Sequence, residues 1–103
     1  MRQTNDMDKP VTVDELITLK ENDKTVYDAL LHVCMSRGYA EIIRFANRVK
    51  KVSDSRKVIM VPSLSESDNT KIARLVCRIG AYTATAADMY NLFHVCDTVS
   101  ENR

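Results

Sequence analysis

Apolar residues recur along this chain at helical spacing. Ile42, Phe45, Ala46, Val49 and Val52 fall at steps of three and four, which lines one face of a helix. Ile72, Leu75, Val76 and Ile79 repeat the pattern, and so do Met89, Leu92, Phe93 and Cys96. Capping residues divide these stretches. Thr12 and Glu15 have capping-box spacing, hydroxyl to a free N–H and carboxylate back to the start, and predict a short first helix over about 13–21. Asn22-Asp23 breaks it, and Asp23 caps a second helix over about 24–36. Gly38 sits where a helix ends, and a third helix follows over about 39–52. Ser63 and Glu66 again have capping-box spacing and open a fourth helix that Gly80 ends. Thr83 or Thr85 caps a fifth.

Two stretches break the helical rhythm. Residues 53–57 (Ser-Asp-Ser-Arg-Lys) are a polar connection. Val58 to Val61 is a β-prone apolar run stopped by Pro62, read as a buried extended connector with a lone edge strand as the other option. The expected fold is therefore all-α: four to five helices in two helix–Gly–helix hairpins, with a short apolar extended connector at 58–61. Two glycines and two prolines are too few for the turns of an all-β sandwich.

Composition sharpens this picture. With 103 residues and 45% hydrophobic positions the chain supports one packed core, placed at residues 12–100. Residues 1–11 read as a flexible acidic arm and 101–103 as a flexible C-terminus. The longest uncharged apolar run, Val58 to Val61, is far below the ~20 residues that span a bilayer. The opening residues lack the apolar run of a secretory signal, and three cysteines is an odd count. Both features point to reduced thiols in a cytoplasmic or nuclear setting.

The formal net charge of +1 conceals a gradient. Residues 1–23 carry three cations against six acids, and residues 37–57 seven cations against two acids. Arg37, Arg44, Arg48 and Lys51 lie at steps of seven, four and three, opposite the apolar face of the third helix. Lys50, Arg56 and Lys57 flank them. This basic face suits an anionic partner, or it is simply the solvated side of an amphipathic helix.

Leu31-His32-Val33-Cys34 and Phe93-His94-Val95-Cys96 are near copies of one phrase. Two histidines and two cysteines could compose a tetrahedral zinc site, making His32, Cys34, His94 and Cys96 weak metal candidates. Residues two apart on a helix project about 200° apart, so His32 and Cys34 cannot both face one metal. The simpler expectation is buried cysteines and outward histidines. There is no phosphate-cradling glycine loop or metal-binding helix signature, and no activating environment marks a nucleophile. The chain reads as a non-enzyme without cofactors.

Residues 31–45, Leu-His-Val-Cys-Met-Ser-Arg-Gly-Tyr-Ala-Glu-Ile-Ile-Arg-Phe, resemble the middle of an ankyrin repeat. Leu31, His32, Gly38, Glu41 and Ile42 match the family's phrase, with Cys34 in place of its small Ala and Ile43 in place of Val. No second copy follows at the expected ~33-residue spacing, so the resemblance implies a helix–turn–helix hairpin rather than an array. The use it implies is protein binding. Residues 71–98 also have the rhythm of a DNA-binding helix-turn-helix, with Gly80 in its turn. The second helix of that pair offers no Arg, Lys, Asn or Gln in its first turns to read base edges.

Two functions compete. The first is a small intracellular regulatory protein that binds a protein partner through a helical surface. The alternative is a nucleic-acid-binding regulator using Arg44, Arg48 and Lys51. No membrane association is expected, and a core this small leaves a homodimer open.

Overall fold

The computed structural model describes residues 9–49 and 51–102, and these form an all-α protein. Helix α1 spans Val13–Asn22, α2 Lys24–Arg37, α3 Tyr39–Arg48, α4 Val52–Ser55, α5 Glu66–Tyr82 and α6 Ala86–Glu101. No strand occurs among the described residues; 58–61 is an irregular connector with a bend at Met60.

Helix α5 is the axis. Ile72, Ala73, Leu75, Val76, Cys77, Ile79 and Gly80 are all buried, so the helix is enclosed around most of its circumference, as a core helix must be. Helix α3 lies along it in the most extensive helix–helix contact of the fold, and α2 and α4 also pack on it. Helix α1 packs on α2 and α6. Tyr27 and Phe93 meet in the core with ring centroids 6.2 Å apart, tilted by 59°.

The structure revises several sequence expectations. Gly80 does not end a helix. It lies inside α5, where a Cβ would stand 2.7 Å from the Ile42 carbonyl oxygen and 2.8 Å from Ala46 Cβ. Its lack of a side chain is what lets α3 and α5 approach. The second pair is therefore not a helix–Gly–helix hairpin: residues 83–85 join α5 to α6, and α6 packs on α1 instead. Gly38 does separate α2 from α3, with φ +82°, a backbone that L side chains rarely adopt.

The third helix is shorter than its apolar period suggests. It stops at Arg48, Val49 is extended, and α4 is a separate single turn. Arg48, Lys50 and Lys51 would crowd like charges on a helix carrying the β-branched Val49 and Val52, which weakens its continuation. The helix starts also shift. Ser65 rather than Ser63 caps α5, accepting from the Asp68 N–H at 3.1 Å. Thr85 caps α6 in a complete capping box with Asp88. Thr12 accepts from the Glu15 N–H at 3.1 Å as expected, but the Glu15 carboxylate goes elsewhere.

That carboxylate meets Arg78. The guanidinium is only 4% exposed, and it donates to both Glu15 oxygens at 2.6 Å. It also donates to the backbone carbonyls of Lys9 and Pro10 at 3.0 Å. A buried charge needs such full pairing. The Lys9 and Pro10 carbonyls are thereby joined to α5, and Val11 is buried. Residues 1–8, Lys50 and Arg103 lie outside the described residues. Asn69 does the equivalent work for the connector. Its Oδ1 accepts from the Met60 and Val61 N–H groups at 2.9 and 2.7 Å, and its Nδ2 donates to the carbonyls of Val61, Leu64 and Ser65.

Candidate binding cleft

The basic segment is distributed differently from a single helix stripe. Arg37 is the last residue of α2, Arg44 and Arg48 belong to α3, and Lys51, Arg56 and Lys57 follow after the chain has left that helix. All six are exposed. Lys50 lies outside the described residues. Arg44 is ion-paired with Glu41 on its own helix, which spends part of its charge.

The structure brings Arg37 and Arg48 together with the connector. They line a cleft of about 360 Å³ with Phe45, Val49, Asp54, Val58, Ile59 and Met60. Each wall has a local cause. Gly38 turns the chain so that the end of α2 borders α3. Asn69 pins the backbone of Met60 and Val61 to α5, which places the connector opposite α3. Met60 is buried, and its neighbour Ile59 is left 67% exposed, the most exposed large apolar side chain among the described residues. The Arg48 guanidinium stands 6.0 Å from the centroid of the Phe45 ring, a cation–π arrangement that holds it at the cleft.

The uniformly apolar run predicts a buried connector at 58–61, whereas Ile59 is exposed. The run is apolar at all four positions, so nothing in the sequence singles out Ile59. Cleft residues Phe45 and Val49 were assigned only to the helix core.

The His/Cys phrases divide as residues two apart on a helix must. His32 and His94 are exposed, while Cys34 and Cys96 are fully buried. Burial pushes the Cys34 thiol up to about 12 and the Cys77 thiol up to about 11. Burial also raises Cys96, partly offset by the neighbouring Tyr27 hydroxyl. All three therefore stay thiols at neutral pH. Among the described residues no three His, Cys, Asp or Glu side chains gather at a point suited to a metal ion. No helix among them is long and apolar enough to cross a membrane.

One polar cluster lies in the α1–α2–α6 packing. Tyr27 donates to Asp97 at 2.7 Å, and Lys20 donates to the same oxygen at 3.1 Å. Burial and the Asp97 carboxylate hold the Tyr27 hydroxyl protonated far above its ordinary range. Burial pushes Asp97 upward, but Tyr27 and Lys20 outweigh it and leave its carboxyl below the usual value. The cluster joins three helices and leaves no free acid or base.

No family model, curated protein or solved structure matches this chain.

Proposed function

We propose that this protein is a non-enzymatic binding module whose α2–α3–connector cleft docks a protein segment that is acidic and apolar. The observation that carries this reading is Ile59, 67% exposed in a cleft that also holds Arg37 and Arg48. An exposed aliphatic side chain among cations suits a partner that brings both an apolar anchor and carboxylates. Arg–carboxylate pairs then fix its register. The resemblance of residues 31–45 to an ankyrin repeat, whose implied use is protein binding, points the same way.

The cleft composition favours protein over nucleic acid. Five of its eight lining residues are apolar, which suits an aliphatic anchor better than a phosphate backbone. Its one aromatic, Phe45, is buried and offers no platform for base stacking.

The test compares two ligands at two salt concentrations: a helical peptide alternating Glu and Leu faces, and mixed-sequence duplex DNA. The proposal expects peptide binding with moderate salt dependence, weakened about tenfold or more by Ile59→Asp. DNA binding that collapses with salt, together with no peptide binding, would instead establish the nucleic-acid reading through Arg44, Arg48 and Lys51.

A further inference from the structure

A second groove runs between α1 and α5, built from different residues. Two adjoining cavities of about 270 and 180 Å³ share Glu15, Leu19, Lys71 and Leu75, so they form one continuous channel. Leu19 and Leu75 give it an apolar floor. Its polar groups fall on two walls: Glu15 and Asp23 on the α1 side, and Lys71, Arg74 and Arg78 along one face of α5.

The two walls differ in how far their charges are already used. The Glu15 carboxylate is fully engaged by Arg78, and Asp23 accepts from the Val26 N–H as the cap of α2. The Lys71 and Arg74 side chains make no hydrogen bond or ion pair among the described residues. The Arg74 Nε is moreover buried without any acceptor. A desolvated guanidinium N–H with no partner is a costly arrangement in a folded protein, and a turn of the half-buried Arg74 side chain, which lines the groove, would bring it to an incoming oxyanion. The groove thus combines an apolar floor, two unspent cations and one orphaned donor.

We infer that this groove binds an aliphatic monocarboxylate, with its carboxylate on Arg74 and Lys71 and its alkyl chain along Leu19 and Leu75. A phosphate or sulfate would satisfy the cations but leave the apolar floor uncovered. An uncharged alkane would cover the floor but leave the Arg74 donor unmade. Only an amphipathic anion answers both, and small-molecule sites combine apolar lining with a few placed polar groups in this way.

The experiment is a titration of the full chain with sodium octanoate, followed by ¹H–¹⁵N NMR including the arginine Nε–H resonances. The expected result is saturable shifts centred on Thr18, Leu19, Lys71 and Leu75, with a downfield move of the Arg74 Nε–H and a dissociation constant on the order of 1 mM. Octanol at equal concentration should bind about tenfold more weakly. Lys71→Glu, a charge reversal at an exposed position that leaves packing intact, should cost octanoate about tenfold and leave octanol unchanged. Arg74→Gln should also cost about tenfold, with the spectrum of the free protein showing that it folds. An absence of saturable shifts, shifts outside the groove, or equal binding of octanol and octanoate would each overturn the assignment. Because no residue of the α2–α3 cleft takes part, these outcomes are independent of the docking reading above.

Discussion

Gly80 stands directly against Ile42: a Cβ on the glycine would lie 2.7 Å from the Ile42 carbonyl oxygen. The contact joins the two helices that pack most closely, and the neighbour is backbone, which cannot rotate away. Gly80→Ala removes a helix-interior glycine, a change that favours the helix by about 1 kcal/mol. Here the overlap wins. Forcing α3 off α5 costs about 1–3 kcal/mol, so the variant should be less stable by a lowered urea midpoint at unchanged slope. Equal or greater stability would show that the helices separate freely.

Arg78 anchors the start of the described chain through four hydrogen bonds. Arg78→Met keeps bulk but leaves the Lys9 and Pro10 carbonyls and the Glu15 carboxylate without this partner. Hydrogen bonds to charged groups contribute about 1.5–3 kcal/mol each, and Glu15 is exposed enough to recover part of that in water. The expected result is a destabilised protein that limited proteolysis cuts near residues 9–12 before it cuts elsewhere. Uniform cleavage kinetics across the chain would refute the anchoring role.

The same pair sets a pH dependence. The Arg78 hydrogen bonds hold the Glu15 carboxyl below its ordinary value of 4.5. Asp97 is likewise below its ordinary 3.8, because Tyr27 and Lys20 outweigh the upward push of burial. A carboxylate depressed in the folded state contributes stability that is present above the unfolded value and lost as pH falls through the folded one. Unfolding midpoints should therefore be flat above about pH 5 with respect to these groups and fall below about pH 4. Glu15→Gln should reduce the acid-side loss, as measured by urea midpoints across that range.

The three cysteines supply a chemical probe of the core. Cys34, Cys77 and Cys96 are buried, and burial holds the thiolate fraction low. A disulfide reagent at neutral pH should react with none of them on the timescale of a free thiol and with all three after unfolding in urea. Rapid native-state modification of any one would contradict its placement.

Helical periodicity revealed the all-α fold, because apolar faces and their caps are local properties. It located Asp23 and Gly38 correctly and predicted the inward Cys34 and Cys96 with outward His32 and His94. It misplaced what depends on a distant neighbour. Gly80 looks like a stop until Ile42 is seen against it. The Thr12–Glu15 box looks complete until Arg78, 63 residues away, takes the carboxylate. The third helix was drawn too long because periodicity ignores the like charges that end it. The cleft was half legible: its arginines showed in the charge gradient, whereas Ile59 emerged only once Asn69 fixed the connector.

The docking reading turns on charge and apolar contact acting together at one cleft. Peptide-display selection on the native protein and on Arg37→Glu/Arg48→Glu tests this most directly, since both arginines are exposed and their reversal gives up only the Arg48 contact with the Phe45 ring. The native protein should enrich peptides that pair aliphatic residues with Asp or Glu, and the reversed variant should enrich aliphatic peptides bearing Lys or Arg. Enrichment of the same sequences by both proteins, or of none by either, would contradict the cleft as the binding site.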